Sequence, residues 1–273
     1  YIGVLPDEPP WVSAFKMFAN VFRGDLGVSI NWRMPVTKLI GTMLPWSLFF
    51  ASWSLLWTFV LGVTCGLIMA YYRHNKVLHS ALRTIFAVLS SFPVWLLAVI
   101  LHLYFAIGFK IFPSKAPYPP GILPGLSLEF IGGVLWHYTL PTIIQVLVAF
   151  PGWSLGMMAA AVSVLHTDYV EYARARGIPS RRILVSYVAK NSILPIYTRI
   201  AATLANMLVG LVWIESRFVL PGLGALLTTA IGVRDYPLLM GCYFVVITAV
   251  VFGNLLTDLT YGLIDPRARL GEV

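Results

Sequence analysis

Charge is what this chain has least of. Of its 273 residues only 11% are Asp, Glu, Lys or Arg, while 59% are hydrophobic. A soluble domain carries roughly 25% charged residues, so a water-soluble globular fold is excluded. Cysteine is almost as scarce. Cys65 and Cys242 both lie inside apolar runs, which implies packing residues and neither a disulfide framework nor a metal site. The five histidines show no ligand spacing; His102 and His137 read as packed or interfacial side chains, since no second ligand accompanies either. No G-x-x-x-x-G-K-[ST] loop occurs, so the chain brings no phosphate-binding loop of its own. A signal-like start is also missing: the first residue is Tyr1, and no charged n-region precedes an apolar core.

What is there is a series of long apolar stretches. Crossing about 30 Å of hydrocarbon takes around 20 helical residues. The expected fold is an all-α polytopic membrane bundle with spans at about 44–72, 84–109, 136–165, 191–214 and 237–261. An extracytoplasmic segment 1–43 precedes them and a cytoplasmic tail 265–273 follows. Tyr71-Tyr72 at the end of the first span suits a membrane interface. Gly62 and Gly66 inside it make a GxxxG, a spacing that permits close helix contact. Pro93 is expected to kink the second span, and the Pro- and Gly-rich stretch 110–129 reads as an exposed loop. Pro151-Gly152 would allow the uncharged stretch 130–167 to be split in two.

The formal charge of +8 has no basic face behind it and does not point to nucleic acid. Its placement instead orients the chain. With one span across 130–167, Arg73, Lys76, Arg83, Arg174, Arg176, Arg181, Arg182, Lys190, Arg267 and Arg269 fall on one side. Lys110, Lys115, Arg217 and Arg234 fall on the other, ten against four; two spans would give nine against five. The positive-inside rule favours the single span and puts 168–190 in the cytoplasm. Five spans with an outside start imply a first helix beyond this sequence. Arg199, within the fourth expected span, is either a functional intramembrane charge or a side chain snorkelling to the cytoplasmic surface.

Two motifs carry chemistry. Gly152-Trp-Ser-Leu-Gly156 matches the nucleophile elbow of hydrolases, which would make Ser154 the reactive group of an intramembrane serine hydrolase. No strand precedes it and no histidine–carboxylate pattern activates it, so a packing or kink site is the competing reading. The stretch 168–190 is more informative, because a connecting loop needs only to be polar and this one is written as structure. Asp168 with Glu171 resembles a capping box, placing a helix start near Tyr169. Gly177 supplies a left-handed stop, and Pro179 prevents resumption in the same direction. Ser180 can cap a second helix whose Ile183, Leu184 and Tyr187 share a face. The alternative is an amphipathic surface helix lying on lipid headgroups.

On these residues the chain resembles a known family. Glu171, Ala173 and Gly177, followed by Ile193-Leu194-Pro195, look like the EAA loop of ABC-importer permeases, with Tyr172 in place of the motif's first alanine. The long interval from Gly177 to Pro195 resembles the dipeptide/oligopeptide branch. So do Arg23-Gly-Asp-Leu-Gly-Val-Ser29, Glu215 with Leu220-Pro-Gly-Leu-Gly224, Arg234-Asp-Tyr-Pro237, Asn254-Leu-Leu-Thr-Asp258 and Asp265-Pro-Arg-Ala-Arg269. Met158 and Ser163 depart from it, standing where the family tends to carry an arginine and a glutamate. The resemblance implies a type I importer transmembrane fold and a first-type permease subunit, without enzymatic activity, in the cytoplasmic (inner) membrane of a bacterium or archaeon. It also implies a second permease subunit, two ATP-binding subunits, an extracytoplasmic solute-binding protein and membrane lipid as partners. ATP and Mg would be used by those partner subunits, with no cofactor on this chain. ATPase coupling falls on Asp168, Glu171, Ala173, Arg174, Arg176, Gly177 and Arg181, and an extracytoplasmic loop on Glu215, Pro221, Gly222 and Gly224. The cargo would be peptide or a related small solute, such as an oligosaccharide or a nickel complex. A passive channel is the remaining alternative.

Overall fold

The computed structural model describes residues 9–197 and 200–264. Arg199 and the 265–269 ending therefore lie outside the described residues. Among those described, the chain is helical throughout, and the sole extended pairing is an isolated bridge between Val28 and Pro35.

A short helix α1 (Pro10–Phe22) leads to α2 (Val36–Tyr71). Then come α3 (Lys76–Ser91) and α4 (Val94–Leu101), the latter continuing as a π-helical stretch His102–Gly108. Next are α5 (Leu128–Leu165), α6 (Asp168–Ala175) and α7 (Ser180–Arg182), which runs on through a π-helical Ile183–Ala189 into α8 (Lys190–Ser192). The chain continues with α9 (Leu194–Tyr197), α10 (Ile200–Arg217), α11 (Leu223–Val233) and α12 (Tyr236–Ile264).

Three stretches are long and apolar enough to cross a membrane: α2, α5 and Tyr236–Leu256 of α12. The pair Lys76–Ser91 and Val94–Gly108, bent by 92°, counts as a fourth if taken as one span. That bend falls where Pro93 withholds an N–H and pushes Phe92 into extended backbone, ψ 131°. Within the stretch 191–214, read as one span from sequence, the described residues show one interruption, a bend at Ile193 just before Pro195, which cannot donate to a helical ladder. By contrast α5 runs unbroken through Pro151-Gly152 for 38 residues. At 1.5 Å per residue it is about 57 Å long, well beyond the hydrocarbon thickness.

The helices contribute to two compact units. Of the described residues, one comprises 9–51, 98–141 and 205–252, the other 52–97, 142–197, 200–204 and 253–264. The first is organised around Val36, Ile40, Leu223, Leu227, Ala230, Leu238 and Cys242, where α2, α11 and α12 meet. Gly241 permits that approach, since a Cβ there would stand 2.5 Å from Val36 Cγ1. The second is organised around Ala70, Ala161, Leu165, Val170, Ala173, Ile183 and Val188. Within it α2 and α5 run side by side at backbone contact. A Cβ on Gly62 would lie 2.6 Å from Trp153 Cβ, and one on Gly66 2.6 Å from both Met157 Cβ and the Ser154 carbonyl oxygen. The GxxxG of α2 is a true helix–helix seam.

The segment 110–129, read from sequence as an exposed loop, is largely exposed and is held at Ser114 and Ala116. Ala116 N–H donates to the Phe218 carbonyl at 3.2 Å. His102 Nε2 bonds the Ser114 carbonyl at 2.8 Å and His137 Nδ1 the Ala116 carbonyl at 2.9 Å. These contacts give both histidines a packing role, with His102 also edge-on to Phe218 at 4.6 Å.

Candidate functional site

The residues singled out from sequence form two assemblies, one in each unit. In the second unit, α6 begins one residue earlier than expected. Its N-cap is Thr167, so Asp168 occupies the first helical position, and no capping-box hydrogen bond forms. The reason is local: Thr167 Oγ1 donates back to the Val164 carbonyl at 2.6 Å. Asp168 and Glu171 instead place two acidic groups in the first turn, where the helix dipole favours them.

The end of α6 matches the expectation for Gly177 in full. Gly177 sits at φ +74°, its N–H donates to Arg174 O at 2.9 Å, and the Ile178 N–H reaches Ala173 O at 3.2 Å. That pair of bonds is a Schellman motif, which a residue with a Cβ forms only under strain. Ser180, expected as a cap, is instead the first residue of its helix, with Pro179 before it and no side-chain cap.

Val170 and Ala173 are buried against Ala161, Leu165, Ile183 and Val188. Asp168, Glu171, Arg174, Arg176, Gly177 and Arg181 are exposed, as is Tyr172 at 68%. Arg176 lies over the Tyr172 ring at 5.9 Å. Asn191 Nδ2 ties the end of the element to its start, donating to Tyr169 Oη at 2.9 Å and to Tyr187 O at 3.0 Å. The element is thus anchored on one side by apolar side chains and presents a mixed acidic, basic and aromatic surface on the other.

In the first unit Glu215, at the end of α10, is 1% exposed. Its carboxylate accepts from Ser47 Oγ at 2.6 Å and from the Gly224 N–H at 2.7 Å, and the Ala225 amide reaches it as well. Ser47 Oγ in turn accepts the Leu223 N–H at 2.8 Å. A carboxylate carried on another helix thereby satisfies the first amides of α11, which have no partner inside their own helix. The glycines of the Pro221-Gly-Leu-Gly224 turn are needed for this approach: a Cβ on Gly222 would fall on the Glu215 carboxylate, and one on Gly224 on the Val212 backbone.

The Arg23–Ser29 and Arg234–Pro237 motifs also meet in this unit. Asp25 Oδ1 accepts the Gly27 N–H at 2.9 Å, and Gly24 and Gly27 adopt φ +82° and +77°. Ser29 Oγ donates to Asp235 Oδ2 at 2.5 Å, and the Asn31 N–H donates to the same oxygen at 3.1 Å. Asp235 Oδ1 accepts the Leu238 N–H at 3.2 Å, capping α12. Burial alone would push the Asp235 carboxyl up, but the hydrogen bonds from Ser29, Asn31 and Leu238 outweigh it and hold the group below its ordinary range. Ser47, Ser29 and Asp235 were not among the residues singled out as site residues. Ser47, a serine in an apolar run, gives no signal, whereas Ser29 and Asp235 both lie within motifs noted in the sequence.

Ser154 is fully buried inside α5 and its Oγ donates to the Phe150 carbonyl at 2.9 Å. An elbow nucleophile stands exposed on a strand-to-helix turn. Ser154 has the opposite setting, a back-bonded serine in a packed helix.

The apolar helices, the absence of a strand among the described residues and the motif order describe a polytopic membrane transport component. Residues 62–270 match the model of the family described as "Binding-protein-dependent transport system inner membrane component". This chain belongs to that family, and it is a transmembrane permease subunit of an ABC importer, multi-pass in the inner membrane. It is similar over 265 residues, at 31% identity, to a Brucella suis protein provisionally named a peptide permease protein; the match covers 97% of this chain and 81% of that one. It is 29% identical over 263 residues to the oligopeptide transport system permease protein AppB of Bacillus subtilis, covering 96% and 81% respectively. The dipeptide transport system permease protein DppB of Haemophilus influenzae is 28% identical over 270 residues, covering 92% and 78%.

Proposed function

We propose that this chain forms half of the translocation path of a peptide importer and receives the movement of an ATPase through α6, Gly177 and the helix starting at Ser180. The observation that carries this reading is the one-sided anchoring of α6. Val170 and Ala173 fix it to the core, while Glu171, Arg174, Arg176 and Arg181 remain exposed for charge-assisted contacts with a partner. Gly177 keeps the turn tight, so a displacement of α6 passes to α5 and to the Ser180 helix as a rigid-body movement. The partners are a second, related permease, two ATP-binding subunits that handle ATP and Mg, and a solute-binding protein outside the membrane. Peptide is the cargo that the relatives' names support; ligand identification by mass spectrometry on the co-purified binding protein tests it against oligosaccharide and nickel complexes.

Gly177→Leu tests the coupling. Membrane insertion should be normal, while ATPase association or substrate-stimulated ATP turnover falls; retained stimulation would remove α6 from the coupling path. A passive channel would conduct when the chain is reconstituted alone, and an intramembrane hydrolase would be labelled at Ser154 by an active-site phosphonate. Neither is expected.

A further inference from the structure

The second unit contains a cleft of about 490 Å³ that borders the coupling element and shares Arg174 and Ser180 with it. Its lining combines the polar Arg73, His74, Arg174 and Ser180 with the apolar surface of Tyr71 and Leu184. It opens beside the C-terminal ends of α2 and α5. Arg73 Nη1 donates to the Ala70 carbonyl at 3.3 Å, and Arg174 Nη2 to the Leu165 carbonyl at 3.4 Å. Each guanidinium has five N–H donors, so these two bonds leave most of them unspent.

Two cations therefore face one cleft, and among the described residues no hydrogen bond joins either of them to Asp168 or Glu171. Burial first, and the neighbouring Arg174 charge second, hold the Arg73 guanidinium below its usual range. A bound anion would relieve both effects at once. Tyr71 and Tyr72, edge-to-face at 5.0 Å and each about half exposed, mark the level of the membrane interface, where lipid phosphates lie. The apolar flank beside the basic groups suits an amphipathic occupant better than a free ion.

We propose that this cleft is a phosphate-binding site for the headgroup of an anionic phospholipid of the cytoplasmic leaflet. Arg73 and Arg174 hold the phosphate, Ser180 Oγ and His74 supply further hydrogen bonds, and Tyr71 and Leu184 cover the first carbons of the glycerol and acyl region. Basic pockets between membrane helices on the cytoplasmic side recognise headgroups in this way. The proposal rests on the cytoplasmic placement of the coupling element but not on the coupling itself.

The test uses the whole importer, reconstituted in bilayers of equal phosphatidylglycerol and phosphatidylcholine. Lipid retained per complex after extraction is counted by native mass spectrometry. The expected result is selective retention of phosphatidylglycerol, about tenfold weaker in Arg73→Gln, in line with loss of a charge-assisted hydrogen bond, and partly restored in Arg73→Lys. Equal retention in wild type and Arg73→Gln overturns the proposal, as does retention of phosphatidylcholine to the same extent. Displacement of the lipid by millimolar inorganic phosphate would reassign the site to the free ion. If Arg73→Gln sheds the ATPase subunits with phosphatidylglycerol unchanged, the cleft receives an acidic partner and the lipid assignment is overturned. Gly177→Leu should retain phosphatidylglycerol normally, so a failed coupling model and a failed lipid site give different readouts.

Discussion

The Glu215 assembly and the α6 element differ in where their polar groups find partners. Glu215 is buried, and its carboxylate is satisfied within its own unit by Ser47, Gly224 and Ala225. The polar groups of α6 are mostly exposed, and Arg174 and Arg176 make only a weak carbonyl contact and a ring contact. The first arrangement is complete in itself and holds a helix in place. The second leaves its charged groups on the surface, open to the contacts proposed for it. Sites of the two kinds respond differently to substitution, because breaking a buried charged network costs stability while altering an exposed element alters association.

The sharpest way to break this contrast is Glu215→Ala. It leaves Ser47 Oγ and the Gly224 amide buried without their acceptor, a loss of about 1–3 kcal/mol for each donor, read as a large fall in apparent Tm of the purified complex. Glu215→Gln keeps the shape and one acceptor and should lose roughly half as much. An Ala variant as stable as wild type would show that the carboxylate does not hold α11. Next in size, Gly224→Ala drives a Cβ into the Val212 backbone and should cost about 1–3 kcal/mol, measured in the same way.

Asp235 sharpens the comparison through pH. Its carboxyl is held below the ordinary range, so its contribution is present above the unfolded value of about 3.9 and is lost as pH falls through the lower folded value. Thermal stability should be flat between about pH 5 and 7 on this account. The extra loss below about pH 4 should disappear in Asp235→Asn. The smallest stability effect is expected for Gly177→Leu. Its φ of +74° costs a side chain about 1–2 kcal/mol, yet nothing lies within 4 Å of an added Cβ. Coupling should fall far more than Tm, and a Tm loss matching that of Glu215→Ala would erase the distinction.

Long apolar runs made the membrane-crossing parts of α2 and α5 legible, because a chain crosses hydrocarbon as a helix, whereas their first turns, from Val36 and Leu128, precede the expected spans 44–72 and 136–165. Pro93 announced the break between α3 and α4, and the spacing from Ala173 to Gly177 announced the turn. Other features had no local signal. The bond from Ser47 to Glu215 joins residues 168 positions apart, and nothing in either neighbourhood names the other. The π-helical stretches 102–108 and 183–189 have no signature in the apolar pattern of the sequence. Thr167 displaced Asp168 as the N-cap because both residue types are competent there. The order of the loop 110–129 depends on carbonyls that meet His102 and His137, a tertiary fact that a Pro- and Gly-rich composition hides.

Gly62 and Gly66 have one further consequence. In the second unit they bring α2 to within backbone distance of Trp153, Ser154 and Met157, and only two residues separate α5 from α6. A torque delivered at α6 cannot spin α5 on its own axis, because the seam would have to open and nothing small enough exists to fill it. The smallest body able to pivot is the helix pair. A lever two helices wide resists torsion and delivers tilt, so under the proposed coupling the seam would convert a push at α6 into a swing rather than a twist.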